Sequence, residues 1–313
     1  MASDEPGAAD LLPLRRLPLQ RLPLRLDTGD YIDVKDPCPV RLGDVWHLFG
    51  TGAHPGHRYD ILHATAGDPA GPWRLGPPSV LPEIAGGCVA APGVIAEGGR
   101  LHMFVQTEYN LFGGVVEHLI SDDEGATFTH HDTALVSVPG TEEAGIYDPH
   151  PALLHGQKYL VYSGFALIGR PDLFLARSLG AWDGPWQRLG CILRHEHVPG
   201  HNQHDDPAYE WGLEGAQLIE LPGGRVLLNG VCFLAGAPPG DRQRVFLASA
   251  AQPTGPYRVH GPALEPADGA GEVGHAAAVL RDDELVLFFQ ERTGDGPWRY
   301  GAAAAEVPAG GEP

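Results

Sequence analysis

Long apolar runs are missing from this 313-residue chain. No stretch reaches the roughly 20 residues that a membrane-spanning helix needs. Positive charge is scarce: Lys and Arg number 21 against 40 Asp and Glu, a formal net charge of −19. Such a surface argues against a nucleic-acid backbone or an anionic membrane as partner and favours solubility. Cysteine is sparse, at positions 38, 88, 191 and 232, with no C-x-x-C pair. That spread suits free, buried thiols in a reducing compartment rather than a disulfide framework. The leucine-rich "LLPLRRLPLQRLPLRLD" carries a twin arginine (Arg15, Arg16), but Pro and Arg interrupt what would be the apolar core of a signal peptide. The expectation is a soluble, cytoplasmic protein. Helical periodicity is absent over more than a few residues.

Glycine (43) and proline (30) are abundant and evenly spread, as in short strands joined by turns. Five segments share one layout of a two-residue head, an apolar strand, a short polar turn and a second apolar strand. They are "DPCPVRLGDVWHLFGTG" from Asp36, "APGVIAEGGRLHMFVQT" from Ala91, "DPHPALLHGQKYLVYSG" from Asp148, "EGAQLIELPGGRVLLNG" from Glu214 and "HAAAVLRDDELVLFFQE" from His275. Four of the five are followed by another strand–turn–strand, as in "YDILHATAGDPAGPWRLG" and "VEHLISDDEGATFTHHD". Gly71-Pro72-Trp73, Gly184-Pro185-Trp186 and Gly255-Pro256-Tyr257 fall at matching places, a Gly-Pro turn and then an aromatic that opens an outer strand. Repeated four-stranded antiparallel units predict an all-β, five-bladed β-propeller. A β-sandwich, the alternative, has no need of five equivalent heads. The fifth unit is one strand short, and "RLPLRLD" near residues 21–27 is the candidate to complete it. The expected organisation is an N-terminal extension, 1–28, that supplies this strand, and a single propeller domain, 29–308.

In a propeller the innermost strand of each blade lines the central channel, so heads distant in sequence converge on one face. Asp36, Ala91, Asp148, Glu214 and His275 are thereby expected around one mouth. One isolated Asp-Pro is commonly an aspartate capping its own turn. Three carboxyls and a histidine brought together are costly unless used.

These heads resemble those of the family 43 glycoside hydrolases and their five-bladed clan. Asp36-Pro37, Ala91-Pro92, Asp148-Pro149, Glu214-Gly215 and Gly274-His275 match the motifs that open its five blades, in order and at similar spacing, over roughly residues 30–300. Departures are Ala90 where a Trp is usual, Ala216 in place of Pro, and Ala276-Ala277 where Ser or Asn is usual. The resemblance implies Asp36 as general base, Glu214 as general acid and Asp148 as the residue that orients Glu214 and raises its pKa. That is an inverting hydrolase scheme. It implies no required cofactor. It places His275 under the sugar site, where some members hold a divalent cation such as calcium.

Other candidates surround these. Arg292 matches an arginine that contacts sugar in the family, and it also reads as a surface arginine. Trp211, Phe112, Tyr109 and Phe165 lie in mouth loops and are candidates to stack on a sugar ring or to pack. "HEHVPGHNQHDD" offers His195, His197, His201, His204, Asp205 and Asp206 as metal donors or as a polar mouth loop. Cys38 has no neighbour in sequence to act as its base and reads as packing. The expected function is hydrolysis of short pentose-type oligosaccharides or glycosides such as arabinosides or xylosides. The partner is then a small carbohydrate, with the oligomeric state open. Two alternatives are other chemistry on the same scaffold, as in secondary metabolism, and a catalytically silent carbohydrate-binding propeller.

Overall fold

The computed structural model describes residues 19–56, 58–84, 89–107, 114–166, 170–201, 212–267 and 269–307. They form five antiparallel four-stranded sheets. Blade 1 is β2 (Asp33–Leu42), β3 (Val45–His54), β4 (Arg58–Ala66) and β5 (Arg74–Leu75). Blade 2 is β6 (Ala90–Glu97), β7 (Arg100–Thr107), β8 (Val115–Ser121) and β9 (Thr129–Val136). Blade 3 is β10 (Gly145–Leu154), β11 (Gln157–Phe165), β12 (Asp172–Ser178) and β13 (Trp186–Leu193). Blade 4 is β14 (Glu214–Glu220), β15 (Val226–Phe233), β16 (Gln243–Ala250) and β17 (Arg258–Pro262). Blade 5 is β18 (Glu272–Arg281), β19 (Glu284–Arg292), β20 (Arg299–Glu306) and, outermost, β1 (Gln20–Leu22). Each inner strand touches the next, and β18 returns to β2, so the ring closes. This is the five-bladed propeller expected from the repeats. A single 3-10 turn, His195–His197, is the only helical element among the described residues.

The core is five separate apolar layers, one between each pair of blades. Successive side chains of a strand point to opposite faces, and here both faces are covered. Trp46 and Leu48 of β3 pack toward blade 5, beside Phe288 and Ala302. Phe49, the residue after Leu48, packs toward blade 2 with Met103 and Leu119. The strands therefore read as continuous apolar runs rather than as an alternation. The Gly-Pro-aromatic corners serve the same layers. The Gly71-Pro72, Gly184-Pro185 and Gly255-Pro256 bonds are cis, and the aromatic after each packs against the preceding blade. Trp73 meets Phe288 edge-on at 5.7 Å, Trp186 meets Phe104 edge-on at 5.8 Å, and Tyr257 joins the layer between blades 3 and 4.

Blade 5 takes its outer strand from the other end of the chain. Gln20, Arg21 and Leu22 pair with Ala304, Ala303 and Ala302. Arg21 also donates to both carboxylate oxygens of Glu291 at 2.9 Å and to the Glu265 carbonyl. Leu22, Leu24 and Leu26 half-bury against the layer between blades 1 and 5, and the Arg25 carbonyl accepts the Trp73 N–H. Deleting residues 1–28 removes these contacts and bares the β20 edge. Half-burial of a leucine contributes roughly 1 kcal/mol, so the melting temperature should fall by about 5–10 °C, read by calorimetry. An unchanged melting temperature would show that the ring closes without this strand.

Candidate active site

Each inner strand begins with a β-bulge, a one-residue slip against its partner. At that slip the backbone turns left-handed: Asp36 (φ 55°), Ala91 (φ 49°), Asp148 (φ 50°), Gly215 (φ 54°) and His275 (φ 26°). A non-glycine residue so held costs on the order of 1–3 kcal/mol, and bulges serve to re-aim side chains. The preceding blade holds three of these residues in place. The Asp36 N–H donates to Gln290 Oε1 at 2.9 Å, the Ala91 N–H to Thr51 Oγ1 at 2.9 Å, and the Asp148 N–H to Gln106 Oε1 at 2.6 Å. The Gly215 N–H donates to Asp148 Oδ2 at 3.1 Å.

The register carries one offset. The residue at the bulge in blades 1, 2, 3 and 5 is the head itself, whereas in blade 4 it is Gly215. Glu214 pairs with Val231 just as Lys35 pairs with Thr51 and Tyr147 with Ser163. Glu214 thus projects from one position earlier than the other heads. Glycine is needed next to it: a β-carbon on Gly215 would lie 2.8 Å from His275 Nδ1, and its φ is left-handed as well.

Asp36, Asp148, Glu214 and His275 converge around a cavity of about 280 Å³, lined also by Lys35, Thr51, Tyr59, Gln106, Tyr147, Gln243, Gln290 and Trp298. His275 stands between the acids. Its Nδ1 is 2.9 Å from Asp36 Oδ1, and its Nε2 is 3.8 Å from Asp148 Oδ2 and 3.6 Å from Glu214 Oε2. Tyr147 donates its hydroxyl to Glu214 Oε1 at 3.0 Å. Burial opposes charge on the imidazole, but Asp148 and Asp36 outweigh it and raise the His275 pKa well above its ordinary value. Burial likewise opposes ionisation of Asp36. The His275 charge, hydrogen bonds from His275 and Thr51, and the Lys35 charge together hold its carboxyl below the usual range. Asp148 goes the other way, pushed up to about 7 by burial and by the Glu214 and Asp36 carboxylates, with His275 only partly offsetting them. One aspartate is therefore ionised at neutral pH and its neighbour is poised to hold a proton, the arrangement acid–base chemistry uses.

Donor atoms of Asp148, Glu214 and His275 lie within 4.8 Å of one another. These three could hold a metal ion, with two carboxylates and one imidazole nitrogen as donors. Calcium takes six to eight ligands, mostly oxygen, so water would have to fill most of its shell, and His275 would have to give up a proton to bind it.

The remaining sequence candidates fall elsewhere. Arg292 is bound to Glu272 Oε2 at 2.5 Å and lies 4.5 Å over the Trp298 ring, outside the residues that line the cavity. Phe165 packs on Tyr147, ring centroids 5.9 Å apart, and so backs the tyrosine that reaches Glu214. Trp211, Phe112, Tyr109, His204, Asp205 and Asp206 lie outside the described residues. His195 is tied to Asp172 at 2.6 Å, and buried His201 meets the backbone N–H groups of Gly212 and Phe233. Cys38 has a neighbour after all, His150 Nε2 at 3.5 Å. Burial pushes the thiol up to about 12 and the imidazole down to about 4, so both are neutral and the packing reading stands. Tyr147, Gln106, Thr51 and Gln290 were not singled out in the sequence. The signal available was a polar residue ending an otherwise apolar second strand and, for Tyr147, adjacency to Asp148.

No protein-family model matches the chain, and none of the curated proteins does. Solved structures do. An endo-arabinase from Bacteroides thetaiotaomicron superposes with a TM-score of 0.68 at 14% identity, over 92% of this chain and 98% of that one. A thermostable family-43 glycoside hydrolase gives 0.65 at 16% identity, over 90% of each chain. This chain shares the fold of the family-43 hydrolases. An α-L-arabinanase from Cellvibrio cellulosa complexed with arabinohexaose gives 0.62 at 17% identity, over 87% of this chain and 91% of that one. At these identities the likeness is one of fold.

The Asp148 shift fixes a sign. A carboxyl raised in the folded state favours folding of its neutral form, an advantage present below about pH 4 and lost as pH rises toward 7. Asp148→Asn keeps an acceptor for the Gly215 N–H and never ionises. Its melting temperature relative to wild type should therefore rise between pH 4 and pH 8. A falling difference would mean that His275 stabilises the ionised aspartate outright.

Proposed function

We propose that this protein is an inverting glycoside hydrolase acting on short pentose glycosides such as arabinosides or xylosides. The observation that carries the reading is the cavity in which Asp36, held ionised, and the Glu214 carboxyl, from blades 1 and 4, both flank the His275 imidazole. Two carboxyl groups separated by room for a water are what single-displacement hydrolysis requires. A cavity of about 280 Å³ lies just under the usual range for drug-sized ligands and suits a short sugar better than a long polymer. The fold neighbours that are arabinose-cleaving by name favour an arabinoside, and one of them is complexed with arabinohexaose.

In this reading Asp36 draws a proton from water, which attacks the anomeric carbon on the face opposite the leaving group. Glu214 gives a proton to the departing oxygen. Asp148 acts through the backbone: by accepting the Gly215 N–H it fixes the residue next to Glu214. Tyr147 occupies one Glu214 oxygen, which leaves the other to carry the transferred proton. His275 holds Asp36 ionised and, bridging both sides, offers the path by which the proton returns after product leaves.

The test compares two variants on two arabinofuranosides, one with an activated aryl leaving group and one with an alkyl group. Glu214→Gln should lose about 10²–10⁴-fold on the alkyl glycoside and much less on the aryl one, which needs little protonation. Asp36→Asn should lose both to a similar extent. Proton NMR of the first-formed sugar should show inverted anomeric configuration. Near-normal turnover by Asp36→Asn, or a retained anomer, would overturn the assignment.

A further inference from the structure

Blades 1 and 2 repeat a histidine motif among residues that do not line the cavity. In blade 1, His47 Nδ1 lies 3.0 Å from His63 Nε2, and the His63 ring stacks on Phe49 at 4.6 Å. In blade 2, His102 Nδ1 lies 3.0 Å from His118 Nε2, and His118 stacks on Phe104 at 4.6 Å. The paired rings are thus a packing unit of the repeat. Blade 2 adds something that blade 1, whose outer strand is only Arg74–Leu75, does not have. Strand β9 brings Asp132 Oδ1 to 2.9 Å from His118 Nδ1 and sets the His131 ring edge-on to His118 at 5.1 Å. One donor atom each from His118, His131 and Asp132 falls within a 4.8 Å group. Asp183, in the corner between β12 and β13 of blade 3, reaches to 3.8 Å from His131 Nε2.

We propose that His118, His131 and Asp132, with Asp183 as the fourth donor, bind a divalent transition-metal ion of the zinc type at the outer edge between blades 2 and 3. Two imidazole nitrogens and two carboxylate oxygens are a donor set that zinc takes in four-coordinate sites, whereas calcium and magnesium prefer oxygen alone. Zinc at its usual bond lengths holds its donors about 3.3 Å apart, so the His118–Asp132 pair at 2.9 Å must open a little and the wider contacts, such as His131–Asp183 at 3.8 Å, must close. The residues that would move can do so. His118 is fully buried and fixed, while the side chains of Asp132, His131 and Asp183 are 31%, 42% and 53% exposed. The same gradient gives the ion a way in. The supporting hydrogen bond exists already. When the metal takes the Nδ1 lone pair of His118, the ring proton sits on Nε2 and donates to His102 Nδ1. Neighbouring Glu117 is engaged by His130 and Thr133 and is not needed as a ligand.

The experiment is calorimetric titration of the metal-free, tag-free chain with zinc chloride, together with melting curves. Wild type should bind one equivalent at this site and melt at a higher temperature with zinc. The double variant His131→Ala, Asp132→Ala, altered only on the partly exposed outer strand, should lose both effects. Asp183→Ala, on a surface corner and harmless to the core, should bind at least about 10-fold more weakly. His197→Ala, in the separate histidine loop, should bind as wild type does. No zinc uptake by wild type at micromolar concentration, or unchanged uptake by both the double variant and Asp183→Ala, would overturn the proposal.

Discussion

The left-handed residue that opens each inner strand is the constraint on which the rest depends. It breaks the pairing register by one residue, turns the head of the strand toward the axis, and leaves a backbone N–H that the preceding blade can catch. Ala91 makes the point most clearly. It carries no functional group, yet it holds the same strained conformation and gives its N–H to Thr51. The bulge is therefore a property of the scaffold, and the carboxylates occupy positions the scaffold already provides. Because Gln290, Thr51 and Gln106 reach across blade boundaries, the same hydrogen bonds that relieve the strain also set the angle between adjacent blades.

Electrostatics then differentiates chemically similar heads. Three carboxyl groups share one imidazole, and the sharing is unequal. Asp36 holds the short contact to Nδ1, whereas Asp148 and Glu214 divide the longer ones to Nε2. Lys35 and Thr51 further favour charge on Asp36. Aspartates at equivalent bulges, with φ of 55° and 50°, thus have their pKa values pushed in opposite directions by their surroundings.

The ring and its heads were legible in the sequence because they recur. Asp36, Asp148, Glu214 and His275 each open a similar apolar hairpin, and the period alone places them on one face. The one-residue offset of Glu214 was not legible in that alignment of heads, since a bulge leaves no mark in composition, only in pairing. Tyr147, Gln106 and Thr51 were missed for a related reason: a single polar residue ending an apolar strand reads as ordinary until its neighbour across the blade boundary is known. Arg292 shows the converse. It ends a second strand at the mouth, but Glu272 and Trp298 engage it. The cluster around His118 was hidden because its members come from β8, β9 and the next blade, a grouping that follows from strand order and not from spacing.

The pairing of β1 with β20 has a consequence in time. A chain emerging from the ribosome presents Gln20–Leu22 before any of the blades and its partner, Arg299–Glu306, only after β18 and β19. Blades 1 to 4 can form in the order they are made, each against its predecessor, while the N-terminal segment waits without a partner. His275 belongs to the blade that this late pairing completes, so the cavity stays open on one side until that blade has been made. A chain that stops before β18 lacks His275 and cannot assemble the cluster at the centre, and pairing between segments so distant in sequence makes this a slow topology to finish.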